Sequence, residues 1–161
     1  MPVFVPIRTF DLVHELTDDL ITQLTDLKSL VVDYDMTRRV NMANLTLLTN
    51  LTFLKARMMG THINDDVLKP LVNLRDLSIA KNSNITDEGL KALTNLEKLN
   101  IDRCRRISDE GISRLTKLTY LSAHDTNIGD TGVSNLIQLR TLSAGNTYVT
   151  ETGVSGLTNL L

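Results

Sequence analysis

Apolar residues recur at regular positions through nearly the whole chain, in a pattern with two alternating halves. In the segment 96–101, LEKLNI, Leu99 and Ile101 alternate with polar residues, which is the period of a strand with one buried face. In the other half, ITDEGLKAL at 85–93, Leu90 and Leu93 share one face of a helix. The pattern therefore predicts units that each contain a short strand, a loop and a short helix.

This two-part unit is repeated along the chain at intervals that shorten from 24 to 21 residues. The first leucines of the copies are Leu27, Leu51, Leu74, Leu96, Leu118, Leu139 and Leu160. A degenerate copy opens at Ile7, which makes about seven repeats from residue 7 and a C-terminal stub. A period of this length is typical of a solenoid, and no linker interrupts it. We therefore expect residues 1–161 to form a single domain.

Helix starts are marked by residues that suit an N-cap. Thr86, Ser108 and Thr150 each precede one or two acidic residues, as in the pair Asp87-Glu88. Carboxylates in a first turn also suit the positive end of the helix dipole. We interpret these acidic residues as solvated helix starts.

No single unit can bury its apolar side, but stacked units can. Stacking predicts one parallel sheet of about seven or eight strands, with the helices on the opposite side and the leucines between them. In the later copies, Ala123 and Ala144 stand where Ile79 and Ile101 stood. The core is therefore expected to thin toward the C-terminus.

Residues 7–161 resemble the leucine-rich repeat family, and the ITDEGL half resembles its cysteine-containing and bacterial-type subclasses rather than the internalin type. The resemblance implies a curved right-handed solenoid, with the sheet on the concave face and short helices on the convex face. It also implies that one loop position bonds neighbouring backbone. That position holds Asp35, Met59, Asn82, Cys104, Thr126 and Thr147. Cys104 is therefore expected to be buried and unreactive. A second column predicts close helix packing, with Gly89, Gly111, Gly132 and Gly153 in later copies and Asn44 and Val67 in earlier ones.

Candidate catalytic groups are few. The histidines, His14, His62 and His124, lie in different units. Ser122, His124 and Asp125 superficially suggest a Ser-His-Asp set, but adjacent residues of a strand point to opposite faces. The spacings expected of a metal site or a phosphate-binding loop are absent. We expect no enzymatic activity, no cofactor and no metal.

Charge and composition limit the classes of partner and the cellular location that we expect. The net charge is −2 and the pI is about 5.9, so no global field favours nucleic acid. Residues 38–117 nevertheless hold 14 basic and 9 acidic residues, which suits an acidic partner surface. No signal peptide and no apolar run of membrane-spanning length is present, and the single cysteine excludes an internal disulfide. We therefore expect a cytoplasmic protein with no membrane or nucleic-acid partner.

The predicted concave face is mostly small and polar, and two of its rungs stand out. They are Phe53-Lys55-Arg57 and Tyr120-Ser122-His124. Aromatic and arginine side chains dominate the binding energy of protein interfaces. The predicted partner-binding residues are Phe53, Lys55, Arg57, Lys98, Tyr120 and His124. An alternative surface is a basic ridge on the loops, formed by Arg38, Arg39, Arg57, Lys81, Arg103, Arg105 and Arg106.

We therefore expect a non-enzymatic protein-interaction module. The resemblance includes substrate receptors that pair such repeats with an F-box, inhibitors and pathogen effectors, so an adaptor or effector role is open. Another alternative is an assembly element that self-associates. A homodimer through the C-terminal end would cover Leu139, Leu142, Val149, Val154 and Leu157.

Overall fold

The computed structural model describes residues 9–10, 17–32, 40–56 and 63–161. Within them, seven short parallel strands form one sheet in which the spatial order follows the chain order. The strands are β1 Thr9–Phe10, β2 Ser29–Val31, β3 Phe53–Lys55, β4 Asp76–Ser78, β5 Lys98–Asn100, β6 Tyr120–Ser122 and β7 Thr141–Ser143. Each strand pairs with the next, so the predicted parallel solenoid is confirmed.

Short helices alternate with the strands and form the opposite layer. They are α1 Asp18–Gln23, a 3-10 helix at Met42–Leu47, α2 Asp65–Leu68, α3 Asp87–Leu90, α4 Asp109–Ile112, α5 Asp130–Val133 and α6 Glu151–Val154. Four of the five later helices have one buried apolar residue in the last position, such as Leu90 and Ile112. None of the helices in the described ranges is both long enough and apolar enough to cross a membrane.

The core lies between the two layers and is built from columns of identical positions. Leu54, Leu77, Leu99 and Leu121 are partners in the strand register, and each is fully buried. Burial of one such side chain contributes roughly 1.5–3 kcal/mol. The columns therefore stabilise neighbouring units against one another, which no unit achieves alone.

The core thins in the last unit, as predicted. Leu142, Val149, Val154 and Leu160 are only partly buried. The prediction was wrong for Leu139 and Leu157, which are 0% and 4% exposed. Both side chains belong to the buried core cluster, whereas Leu142 lies in β7, the last strand of the sheet.

The loop column that contains Cys104 is buried and bonds backbone carbonyls, as the resemblance implied. Asn82 Nδ2 donates to the carbonyl of Ile63 at 3.2 Å, and Cys104 Sγ donates to that of Ile79 at 3.1 Å. Thr126 instead bonds the carbonyl of Ala123, in its own loop. Burial raises the pKa of the Cys104 thiol to about 11. Asp35 and Met59 lie outside the described residues.

A buried thiol with a raised pKa should react only when the chain opens. At pH 8, we expect an aromatic disulfide reagent to modify Cys104 at least about a hundredfold more slowly in buffer than in 6 M urea, because the thiolate is the reactive species. The measurement is the rate of chromophore release. Comparable rates in the two solutions would contradict the burial of this side chain.

The helices are connected by a ladder of aspartates that sequence reasoning missed. Where a helix begins with an aspartate, that side chain accepts hydrogen bonds from the start of the next helix. Asp87 Oδ1 and Oδ2 bind the N–H and hydroxyl of Ser108, both at 2.7 Å. Asp65 binds Thr86 in the same way, at 2.8 and 2.6 Å. The expectation that these aspartates are solvated was therefore wrong.

This ladder also changes the roles of the predicted caps. Thr86 and Thr150 do accept from backbone N–H groups of their own helices, Glu88 and Thr152. Their hydroxyls also donate to Asp65 and Asp130, because a hydroxyl can donate and accept at once. Ser108 donates to Asp87 in the same way but accepts no bond from its own helix.

The glycine column is explained by the aspartates. A Cβ built on Gly89, Gly111 or Gly132 would lie 2.5 Å from Oδ1 of the aspartate in the preceding unit. Real side chains do not approach so closely, so in these units the carboxylate requires glycine in the next unit. Close helix packing, predicted from the column, is confirmed and has this cause.

Of the two earlier units, one agrees with this rule and the other departs from it. Met42 takes the aspartate position and carries no carboxylate, and Val67 stands at the glycine position of the next unit. In the unit before, Asp18 binds the N–H of Asn41 at 2.8 Å and the side chain of Asn44 at 2.7 Å. Asn44 thus occupies the glycine position as a partner of the carboxylate.

Candidate binding surface

The first residues of four neighbouring strands form a row across the concave face. Phe53, Asp76, Lys98 and Tyr120 are partners in the parallel register. Neighbouring strands lie about 4.8 Å apart, so the row places the two aromatic residues roughly 14 Å apart. An oppositely charged pair lies between them.

Between the two aromatic side chains lies a groove of about 360 Å³, which we call the aromatic groove. It is lined by Phe53, Lys55, Asp76, Ser78, Lys98, Leu99, Asn100 and Tyr120. Phe53 is half-buried, whereas Tyr120 is 37% exposed. Lys55 and Lys98 form no ion pair with any described residue. The groove therefore offers apolar walls and two cationic side chains that have no ion-pair partner in the part of the chain that the structure describes.

A second hollow, of about 530 Å³, lies where β4, β5 and β6 end, and we call it the strand-end hollow. Its lining residues are Ala80, Lys81, Asn100, Asp102, Arg103, His124 and Asp125. Asp102 is held in place because its Oδ1 accepts from the Ser122 hydroxyl at 2.7 Å and from the N–H of His124 at 2.9 Å. Asn100 lines both hollows, so the aromatic groove and the strand-end hollow are contiguous.

His124 is locked by two hydrogen bonds. Its Nδ1 accepts from the N–H of Gly145 at 3.1 Å, and its Nε2 lies 2.5 Å from Ser143 Oγ. Since Nδ1 is an acceptor, the neutral ring carries its proton on Nε2 and donates to Ser143. A catalytic base needs the opposite polarity, with Nε2 free to accept the hydroxyl proton.

The remaining members of the suggested Ser-His-Asp set are also engaged elsewhere. The Ser122 hydroxyl donates to Asp102, and Asp125 accepts from Asn146 Nδ2 at 3.0 Å. Asp125 also pairs with Arg103, whose Nε is 3.3 Å from Oδ2. These donors, first Asn146 and then Arg103, lower the pKa of the Asp125 carboxyl. The structure does not bring Ser122, His124 and Asp125 together as a relay.

On the loop side of the strand ends, basic residues surround a third hollow. Lys81, Ser83, Arg103 and Arg105 line about 300 Å³, which we call the cationic pocket. Lys81 and Arg103 have φ angles of 65° and 62°, in the left-handed region, at equivalent positions of neighbouring units. The repeated turn therefore places their side chains side by side.

The structure groups most of the predicted binding residues. Phe53, Lys55, Lys98 and Tyr120 line one groove, and His124 lines the hollow next to it. Arg57, Arg38 and Arg39 lie outside the described residues. Of the predicted basic ridge, Lys81, Arg103 and Arg105 share a pocket, and Arg106 reaches the carbonyl of Ser83 at 3.4 Å.

Sequence reasoning did not single out three polar residues of this surface, Asp76, Asn100 and Asp102. All three occupy outward positions of β4, β5 and the turn that follows β5. Their place in the alternation of buried and outward residues was the sequence signal that could have identified them. As for metals, no group of three or more His, Cys, Asp or Glu within the described ranges is arranged to hold an ion.

Comparison with known proteins agrees with the fold. A sequence model of the family described as "Leucine Rich repeat" matches residues 71–94 and 93–115. No curated protein sequence matches the chain. The cysteine-containing subclass stays a prediction.

Several solved structures are similar. Internalin C2 of Listeria monocytogenes has a TM-score of 0.69 at 25% identity, over 88% of this chain and 62% of that one. A chain in the octameric complex of latrophilin 3, Unc5D and FLRT2 (LRR) has a TM-score of 0.55 at 20% identity, over 90% and 55%. A chain in the TLR13–ssRNA13 complex has a TM-score of 0.58 at 22% identity, over 87% and 26%.

The chain thus spans less than two thirds of the length of these proteins. Their likeness supports the architecture seen here: parallel strands in one sheet that alternate with short helices. The repeat pattern, this architecture and the matched family model identify the chain as a leucine-rich repeat protein.

Proposed function

We propose that this protein is a non-enzymatic interaction module that binds a protein partner through the aromatic groove and the adjoining strand-end hollow. The observation that carries the proposal is the row Phe53, Asp76, Lys98 and Tyr120, in which two aromatic walls flank a charged floor. Aromatic anchors in a groove with polar groups around them are the usual energetic centre of a protein interface.

A protein partner fits this surface better than RNA does. Similar folds occur in a complex that contains other proteins and in a complex with single-stranded RNA, so the fold alone does not choose. The side chains do: Asp76, Asp102 and Asp125 are spaced along the two hollows, and their carboxylates would repel an RNA backbone, which carries a phosphate at every nucleotide. The same arrangement suits the mixed charges of a protein segment.

Two substitutions test the groove. A partner identified by affinity capture with the wild-type chain is purified, and its Kd is measured by calorimetry for the wild type and for the double variant Phe53→Ala, Tyr120→Ala. Aromatic hot spots cost about 2 kcal/mol or more each, so affinity should fall at least about thirtyfold. Neither side chain is in the buried core, so the melting temperature should change little.

The matched control carries Ile137→Ala and Tyr148→Ala, which change two residues that are 59% and 71% exposed and do not line the groove. This control should bind as the wild type does. If the groove variant retains full affinity, or if both variants lose it equally, the proposed surface is wrong. Binding through the groove should also depend weakly on salt, because apolar contacts are not screened.

Self-association through the C-terminal end is a second candidate role, favoured by the partly buried Leu142, Val149, Val154 and Leu160 of the last unit. The variant Leu160→Asp should then dissociate a dimer seen by sedimentation. A role as the recognition part of a ubiquitin-ligase adaptor or of a pathogen effector rests on the sequence resemblance and stays a proposal. A cytoplasmic location rests on the pattern and composition of the sequence and also stays a proposal.

A further inference from the structure

The cationic pocket holds more positive charges than the neighbouring ion pairs neutralise. Its lining of Lys81, Ser83, Arg103 and Arg105 includes no carboxylate. Among the described residues, Lys81 and Arg105 form no ion pair, and Arg103 shares its charge with Asp125 at 3.3 Å. Asp102, the other carboxylate near Lys81 and Arg103, lies in the adjoining strand-end hollow, where it accepts hydrogen bonds from Ser122 and His124. Within the cationic pocket, three cations share one paired carboxylate, so two of them have no ion-pair partner among the described residues.

The pocket is continuous with the proposed binding surface. Lys81 and Arg103 line both the cationic pocket and the strand-end hollow. That hollow shares Asn100 with the aromatic groove. A ligand segment that lies in the groove and follows β4 and β5 toward their ends therefore arrives between Lys81 and Arg103.

The distance from the aromatic groove to the cationic pocket determines how far apart the two binding groups of a ligand would be. The charged floor of the aromatic groove is at Asp76, and Lys81 follows it by five residues along β4 and its turn. Five steps of a continuous strand, at about 3.3 Å each, span roughly 16 Å. Because β4 ends at Ser78 and Lys81 lies in a turn with a φ of 65°, this value is the upper limit of the separation. An extended segment laid along the strands covers it with at most about five residues of its own.

We propose that the cationic pocket receives a phosphorylated serine or threonine of the partner segment, within about five residues of an apolar side chain held between Phe53 and Tyr120. This inference rests on the proposed function and specifies its ligand. A phosphate carries close to two negative charges at neutral pH and several acceptor oxygens, which matches two uncompensated cations. Guanidinium groups such as those of Arg103 and Arg105 bind phosphate in a bidentate manner. A single carboxylate would neutralise half of the excess.

The test uses synthetic peptides in a Gly-Ser background. The probe carries phenylalanine and phosphoserine five positions apart, in both chain directions. The comparison peptides carry serine or glutamate in place of phosphoserine, and a single-stranded RNA oligonucleotide is the fourth ligand. Kd is measured by calorimetry, and backbone amide shifts are followed by NMR. We expect the phosphopeptide to bind about tenfold more tightly than the serine peptide, with shifts at Lys81, Ser83, Arg103 and Arg105.

Charge variants then locate the phosphate. Arg105→Glu should remove the preference for phosphoserine, whereas Arg114→Glu, an exposed arginine outside the pocket, should keep it. Asp125→Asn should increase the preference, because it releases Arg103 from its ion pair. Asparagine suits this position, where φ is 55° and the equivalent residue of the next unit is Asn146 at 56°. A gain of affinity cannot arise from a misfolded variant.

The outcomes separate this inference from the proposed function. If the serine and phosphoserine peptides bind equally and both need Phe53 and Tyr120, the phosphate inference is overturned and the groove stands. If the RNA binds more tightly than the phosphopeptide and depends on Arg105, the pocket serves nucleic acid and the inference fails. A phosphoserine preference lost in Arg105→Glu and enhanced in Asp125→Asn supports it.

Discussion

The variant Gly111→Ala is expected to lose about 2–5 kcal/mol of unfolding free energy. The added Cβ would lie 2.5 Å from Asp87 Oδ1 and 3.1 Å from Asp87 Cα. The carboxylate would have to move, although it binds the N–H and hydroxyl of Ser108 at 2.7 Å. Overpacking costs about 1–3 kcal/mol, and loss of these partly buried hydrogen bonds adds a similar amount. Urea unfolding followed by circular dichroism measures the change.

Gly156→Ala is the matched control. No atom lies within 4 Å of a Cβ built on Gly156, and its φ is not in the left-handed region. This variant should be neutral or should gain up to about 1 kcal/mol, since alanine restricts the unfolded chain. Equal stability of the two variants would show that the aspartate ladder does not require glycine.

A double variant isolates the interaction between the two positions. Asp87→Ala removes the two hydrogen bonds to Ser108 and should destabilise the fold by itself. In the presence of Asp87→Ala, however, Gly111→Ala should cost much less, because the oxygen that the new Cβ meets is gone. The combined loss should therefore be clearly smaller than the sum of the two single losses. If the two losses are additive, the destabilisation by Gly111→Ala does not come from contact with the Asp87 carboxylate.

Cys104→Asp is expected to destabilise the fold by about 3–5 kcal/mol, the range for an uncompensated buried charge. The Cys104 side chain is fully buried, and Sγ donates to the carbonyl of Ile79 at 3.1 Å. A carboxylate at this position would face that carbonyl oxygen without a proton to donate. The carboxylate of Asp102, two residues away, adds further repulsion.

Cys104→Asn is the control with nearly the same shape and no charge. Asn82 occupies the same position in the preceding unit and donates from Nδ2 to the carbonyl of Ile63 at 3.2 Å. An asparagine in place of Cys104 should donate in the same way, so its stability should lie much closer to that of the wild type. Thermal and urea unfolding of the two variants at pH 7 measure the difference. If aspartate is tolerated as well as asparagine, charge burial does not control this column.

The repeat in the sequence determined the architecture. In a solenoid each unit contacts mainly its neighbours, so the contacts that define the fold recur at a fixed separation along the chain. The period of the leucines therefore predicted the parallel sheet, the opposite layer of helices and the register of Leu77 with Leu99, all of which the structure confirms. The resemblance to leucine-rich repeats implied the buried position of Cys104, which is also confirmed. The fold could therefore be predicted from the repeat alone, without knowledge of contacts between units far apart in the chain.

The tertiary structure alone decided how the polar side chains are used. The sequence predicts that Asp87 begins a helix. Only the distance between this helix and the next one shows that Asp87 binds Ser108 and excludes a Cβ at Gly111. Likewise, Phe53 and Tyr120 become two walls of one groove only when three strand spacings bring them together. Apolar periodicity is fixed by local geometry, whereas hydrogen-bond partners depend on side-chain torsions and on distances between units, which the sequence does not state.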